Sequence, residues 1–287
     1  MNLFKNPSDL SLLSKYVAEA CCIHLGEEKA YLFEARLGTI ILQSGATDIP
    51  DFIRRARADA TSRLRDRIVD AMTTHETYWF RDERPWASLR KNLLPTLAGL
   101  VRSGRKSRIR IASLACSTGQ EPYSLAMLID SLCNEGQLPG INPTHFEIVG
   151  TDVSPGTLML ASNGRYNQIE IIRGLAENWR NRYFTASPGN TWTLSEAIRK
   201  RITFKRHNLQ DDLRALGSFD LVLCRNVAIY FEEAFKKELF RRIAEVTLAD
   251  GHLLLGGTES LFTHQHLFAA ETLGDAIFYR RKNSPAT

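Results

Sequence analysis

Two carboxylates sit where an α/β sheet presents its ligand edge. Glu121 follows the small-residue loop Ala115-Cys116-Ser117-Thr118-Gly119, and Asp152 ends the apolar run that holds Phe146, Ile148 and Val149. The loop itself follows a strand-like run, Ile109, Ile111 and Leu114. Small residues let a backbone approach a ligand closely. A helix starting near Glu121-Pro122 exposes unpaired N–H groups and a positive dipole end, which suits an anionic group. A carboxylate at the end of the next strand can accept hydrogen bonds from two ribose hydroxyls. Alone, the loop reads as readily as a tight turn without a ligand, and Asp152 as an Asx turn before Ser154-Pro155. Together they favour a nucleoside cofactor.

The identity of that nucleoside follows from charge. A dinucleotide needs room for its pyrophosphate, hence three glycines in its fingerprint. Here Gln120 and Glu121 stand where the later glycine would fall. Glu121 would repel a pyrophosphate but could pair with an α-amino group. S-adenosylmethionine has that ammonium and no phosphate, so the residues lean to a methyl donor. The five cysteines include no CxxC pair, so no metal is expected.

The elements that position these groups can be read along the chain. Residues 1 to about 75 read as short helices, the first capped by Ser8 or Asp9 and stopping near Gly26. A second runs from Glu27 to Gln43, and Pro50-Asp51 open a third. The arginine-rich stretch after it continues that helix or forms a fourth. Residues 83–104 read as a helix broken by Pro95. From there strand-like runs alternate with helical stretches: 109–114, 146–152, 219–224, 252–256 and 277–280. Such alternation predicts a mostly parallel sheet with helices on both faces. The basic, aromatic stretch from Arg165 to Phe204 breaks the pattern. Thr191, Trp192 and Thr193 beside Ser187-Pro188-Gly189-Asn190 predict a small hairpin there.

Composition limits the class. The chain has 287 residues, 44% hydrophobic and 24% charged, enough for one sizeable core plus a small helical domain. No apolar run approaches a bilayer span, no signal peptide is evident, and the odd cysteine count suits a reducing cytoplasm. The formal net charge is +5, with six arginines between Arg54 and Arg67 against Asp59 and Asp66. A basic face seeks nucleic acid, anionic lipid or an acidic protein, or is simply a solvated helix face.

Three blocks go further: TTHETYWFRD at 73–82, ACSTGQEPYSLAM at 115–127 and FDLVLCRNVAIYF at 219–231. In these blocks and their order the chain resembles the CheR-type chemotaxis receptor glutamate O-methyltransferases. The resemblance implies a helical N-terminal domain (1–75), then a Rossmann-like class I methyltransferase domain (76–287). That domain would have a seven-stranded mixed sheet and an antiparallel β-subdomain inserted at about 165–204. It implies S-adenosylmethionine as cofactor. His75, Thr77 and Arg81 would line its site, Glu121 would hold the amino group, and Asp152 would hold the ribose. Asn208 and Leu209 would border the adenine, Arg225 and Asn226 would close the pocket, and Tyr230 would face the reacting methyl. His75 stands where the family often has Asn, and Gln120 where it often has Glu.

A carboxylate substrate with a pKa near 4.3 is already ionised at neutral pH. No general base is needed, and catalysis reduces to alignment and exclusion of water. Arg81 and Tyr230 are the expected catalytic pair, orienting the incoming carboxylate. Arg54, Arg55, Arg57 and Arg63 are expected to steer glutamate-rich receptor helices. A receptor tail peptide at the inserted subdomain is left open, and a monomer is the default. A nucleic-acid methyltransferase is the rival enzyme, but the segment Arg225-Asn226-Val227-Ala228-Ile229-Tyr230 lacks the proline pair of amino-methylating enzymes. A non-catalytic module binding S-adenosylmethionine or a receptor is the rival from another class.

Overall fold

A computed structural model describes residues 4, 6–23, 25–26, 29–261 and 264–282. Four helices come first: α1 (Pro7–Cys21), α2 (Ala30–Gln43), α3 (Ile49–Ala58) and α4 (Arg63–Met72). Asn6, not Ser8 or Asp9, caps α1. Its side chain accepts the Ser8 N–H at 3.1 Å, and Pro7 takes the first turn, where a missing N–H is harmless. The helix ends earlier than Gly26 because Cys22 turns left-handed, φ 65°, and returns its N–H to Ala18. Glu27, the expected start of the second helix, lies outside the described residues. The arginine-rich stretch does form a separate helix. Asp59 ends α3 and its carboxylate accepts the N–H groups of Thr61 and Leu64, turning the chain into α4. Leu13, Val17, Phe33, Leu37, Phe52, Ile68 and Val69 form a core of their own among these helices.

Residues 83–102 stay helical through Pro95. α5 (Glu83–Ser88) passes through a wide π turn, Leu89–Leu93, into α6 (Leu94–Arg102). The π turn ends just before Pro95, which falls in the first turn of α6, where its missing N–H and its ring are tolerated, so the expected break becomes a local widening.

The main sheet follows: β1 (Ile109–Leu114), α7 (Gln120–Asn134), β2 (Phe146–Asp152) and α8 (Pro155–Asn163). After an insertion come β6 (Ile202–Arg206), β7 (Phe219–Cys224), α12 (Glu233–Val246), β8 (Thr247–Leu255), β9 (Phe268–Leu273) and β10 (Ala276–Arg281). The order is β6-β2-β1-β7-β8-β10-β9, with β10 alone antiparallel to the rest. Side chains alternate between two cores. Ile111, Ile148, Leu221 and Leu223 pack with α5–α7, whereas Ala112, Val149, Val222 and Cys224 pack with α12. The run FAAETL (β9) alternates weakly and escaped the sequence reading.

The insertion holds β3 (Arg165–Asn167), α9 (Gln168–Ile172), α10 (Glu177–Tyr183), β4 (Phe184–Ser187), β5 (Thr191–Leu194) and α11 (Glu196–Arg199). Its three strands form a separate antiparallel sheet, ordered β3-β5-β4. The predicted hairpin is β4–β5, turning on Gly189 and Asn190, both at positive φ (76° and 57°). The expected end at 204 cuts into β6, which pairs with β2 in the main sheet and is not part of the insert.

The helical layer is tied to the sheet layer by named bonds. Gln210 donates to the Ala18 carbonyl at 2.7 Å, Asn208 to the Ala20 carbonyl at 3.0 Å, and Cys22 Sγ to Asn208 Oδ1 at 3.2 Å. Arg206 pairs with Asp66, and Ser154 Oγ donates to Asp70 at 2.5 Å. No helix among the described residues is long and apolar enough to cross a membrane.

Candidate active site

The sheet reverses its strand order between β1 and β7, which is where α/β sheets bind ligands. A cleft partly open to solvent lies at that carboxyl edge. All the expected site residues line it: His75, Thr77, Arg81, Glu121, Asp152, Asn208, Leu209, Arg225, Asn226 and Tyr230. Cys21, Cys22 and Ile23 of the helical layer close one side.

The loop after β1 is tightly wound. Ala115 and Ser117 both sit left-handed, φ 53° and 51°, at roughly 1–2 kcal/mol each for side chains with a Cβ. Gly119 follows at φ 90°, and a Cβ there would press on Ala161 at 3.0 Å and Tyr123 at 3.1 Å. The strain is held by bonds to β2: Cys116 N–H to the Thr151 carbonyl at 2.8 Å, and Ser117 N–H to Asp152 Oδ2 at 2.9 Å. Asp152 Oδ1 accepts the Ser154 N–H at 3.0 Å, which is the Asx turn weighed above. Asp152 is 7% exposed, and burial pushes its carboxyl above the usual aspartate range.

Arg225, just past β7, is the hub of the other end. Its side chain is 1% exposed. It reaches Glu121 Oε2 at 3.0 Å, Asp82 Oδ2 at 2.9 Å and the Arg81 carbonyl at 2.7 Å. Ser113 donates to the other Glu121 oxygen at 2.8 Å. One cation therefore faces two carboxylates, while Asp152 meets only neutral donors. The cleft carries excess negative charge. Arg225 Nε is buried without a protein partner, a spare donor beside this acidic set. A ligand carrying a sulfonium, an ammonium and a carboxylate matches both features. Among the described residues no group of three or more His, Cys, Asp or Glu is arranged to hold a metal ion.

The block 73–82 is fixed by its aromatics. Trp79 is fully buried, donates to the Glu170 carbonyl at 3.0 Å, and meets Tyr166 and Phe184 of the insert edge to face. Truncating such a residue costs roughly 3–5 kcal/mol. Phe80 N–H bonds Ser124 Oγ on α7, and Trp86 Nε1 bonds the Arg81 carbonyl. Arg81 lies over the Tyr78 ring and donates to the Glu76 carbonyl at 3.1 Å. His75 is fully engaged inside the protein. Nε2 is 3.1 Å from Thr73 Oγ1 and 3.1 Å from the Asp70 carbonyl, and Nδ1 is 3.1 Å from Thr157 Oγ1. Its ring bridges α4 and α8 instead of reaching into the cleft with a free nitrogen. Asn208 is likewise committed to α1. Tyr230 is 40% exposed at the end of a short 3₁₀ turn.

Asp82, Ser113 and Trp86 belong to this site and were not anticipated. Asp82 closes the first block, so its place there was the available signal. Ser113 alternates inward on β1 and carried none.

A seven-stranded sheet with one reversed strand, an acid near the carboxyl end of each of its first two strands and an acidic cleft at the switch point define an S-adenosylmethionine-dependent methyltransferase. The CheR methyltransferase SAM binding domain matches residues 75–276, and the CheR methyltransferase all-alpha domain matches residues 8–73. The chain belongs to the CheR methyltransferase family. It is 39% identical to "Chemotaxis protein methyltransferase Cher2" of Pseudomonas putida over 88% of this chain and 90% of that one. It is 38% identical to "Chemotaxis protein methyltransferase 1" of Pseudomonas aeruginosa over 96% of this chain and 98% of that one. "Chemotaxis protein methyltransferase" of Vibrio parahaemolyticus is 34% identical over 94% of this chain and 95% of its own.

Proposed function

We propose that the chain methylates the γ-carboxylates of glutamates on chemoreceptor cytoplasmic helices, forming methyl esters. The observation that carries this is the pairing, in one cleft, of an acidic inner end around Glu121 and Asp152 with Arg81 and Tyr230. When bound, S-adenosylmethionine supplies a methyl group on a positively charged sulfur. Glu121 holds the amino group, its carboxylate fixed by Ser113 and Arg225. Asp152 accepts from the ribose with the oxygen lone pairs that Ser117 and Ser154 leave over. Asn208 and Leu209 border the adenine. Because the Asn208 amide is bound to α1, it acts there as a wall. Thr77 lines the cleft, and His75 shapes it by fixing the loop between α4 and α8. Asn226 and Arg225 close the inner end.

Arg81 and Tyr230 then orient the incoming carboxylate, the first with a planar donor fork, the second with one O–H. The carboxylate is ionised at neutral pH, so no residue has to remove a proton. The test is transfer of labelled methyl from S-adenosylmethionine to membranes carrying the native receptors, against DNA as control. Label on DNA and none on receptor would overturn the reading. Arg81→Ala and Tyr230→Phe should each lower turnover by about 10- to 100-fold, with cofactor affinity changing far less. Single-turnover kinetics beside calorimetry with S-adenosylhomocysteine reads that split. Equal losses in both would remove these residues from substrate orientation.

The basic helices steer the partner in this reading. Arg54, Arg55 and Arg57 are 76%, 45% and 56% exposed; the first two pair with the buried carboxylate of Asp51, the third with Glu19 at the surface. The exposed Arg57–Glu19 pair is weak, so Arg57 can exchange partners. Arg63 stands exposed at the start of α4. Arg54→Glu with Arg63→Glu should slow receptor methylation about tenfold at low ionic strength, fading as salt rises. A rate blind to both charge and salt would end the steering idea. β4 is an outer strand of the insert sheet, an edge on which a receptor tail peptide could add as a further strand. The chain acts as a monomer in this reading.

A further inference from the structure

The segment after β7, Arg225 to Tyr230, runs in an unusual conformation. Asn226 is left-handed, φ 57°, so the successive N–H groups of Asn226, Val227 and Ala228 converge on one side. Consecutive amides bent this way form an anion-binding concavity. The anion is the protein's own. Glu259, just beyond β8, accepts the N–H of Asn226 at 2.7 Å and of Gly256 at 2.8 Å on Oε2. Its Oε1 accepts Val227 at 3.2 Å and Ala228 at 2.9 Å. Four backbone donors thus meet one carboxylate. Gly256 has no room for a side chain, since a Cβ there would stand 2.6 Å from Asn226 Nδ2 and 2.7 Å from Glu259 Oε2.

We infer that Glu259 is a positioning residue for methyl transfer: its carboxylate holds the loop that carries Asn226 and Tyr230 at the cleft. It touches neither ligand nor substrate in this role. The Arg225 side chain is fixed separately by Glu121, Asp82 and the Arg81 carbonyl, so the cofactor end of the loop has its own anchor. The backbone from Asn226 to Ala228, which leads on to Tyr230, depends on Glu259. This rests on the reading that Tyr230 faces the reacting carboxylate.

In Glu259→Gln the shape is kept, but either amide rotamer turns an NH2 toward two backbone N–H groups. Turnover should fall about 10- to 100-fold, as expected for a misplacement near 1 Å, while affinity for S-adenosylhomocysteine stays within about threefold. Hydrogen exchange at the amides of 226–228 should accelerate against the rest of the sheet. Glu259→Asp, which keeps the charge, should recover part of the turnover. Gly256→Ala keeps the carboxylate and pushes on the same contact from the other side. It should give the same split, and it decides the matter if Glu259→Gln does not fold. Turnover within about twofold of the parent would overturn the inference. So would a loss that tracks the folded fraction with exchange at 226–228 unchanged. A parent chain inert on receptor membranes would sink the substrate reading instead, because exchange at those amides reports on the loop without any substrate.

Discussion

Arg225→Met should lower the melting temperature by about 5–10 °C and stop methyl transfer in whatever protein remains folded. Removing one partner of a buried ion pair costs roughly 3–5 kcal/mol, because the charge left behind has no compensation. Here two carboxylates are left behind. Glu121 is 14% exposed and keeps only the Ser113 hydroxyl, while Asp82 is 38% exposed and is partly relieved by water. The low end of the range is therefore expected. Arg225→Met combined with Glu121→Gln should regain part of the stability, since the stranded charge is gone, and none of the activity, since both anchors of the cofactor end are lost. Thermal melts of the single and double variants check this. A single variant that melts with the parent would show that Arg225 is not the hub described.

Asp152→Asn should weaken binding of S-adenosylhomocysteine by about 100-fold, the loss of two hydrogen bonds to a charged acceptor. The pH dependence carries the same information with a definite sign. Burial raises the Asp152 pKa, so folding favours its protonated form. Its ionised form is held at a cost to stability near neutrality, and that cost fades as the pH falls below the folded pKa. Ligand affinity runs the other way. In the proposed role ribose hydroxyls would bond the ionised carboxylate, so affinity should fall as the pH drops through that pKa, above the roughly 3.9 of an unperturbed aspartate. Calorimetry from neutral pH downward should find this slope in the parent chain and none in Asp152→Asn. A parent affinity that stays flat into the range of ordinary aspartates would contradict the assignment.

Much of this was legible in the residues. Short apolar runs such as IRIASL and FDLVLC mark strands buried on both faces, and the small-residue loop before Glu121 marks the ligand edge between them. The insert declared itself by composition, and its hairpin by Pro-Gly-Asn between threonine-rich strands. Weakly patterned edges were less visible. ITFKR faces the core with one side only, so β6 blurred into the insert. Helix limits shifted where a neighbour outranked propensity, as Asn6 and Pro7 did at α1. At the site, sequence order identified residues near the cleft but not how their atoms are used. His75 and Asn208 line the cleft, and the structure adds that their polar atoms bond Thr157 and Ala20. Glu259 lies beyond the last quoted block, and its role depends on a left-handed Asn226 that no spacing announces.

The end of α1 forms one side of the cleft, so whatever lodges there is gripped by both layers at once. A ligand at a hundred times its Kd adds about 2.7 kcal/mol against any opening that releases it. Lifting the helical layer away is such an opening. Methyl donor and spent product therefore serve as mortar between the two layers, and an enzyme short of both loosens first at the layer that bears the arginines.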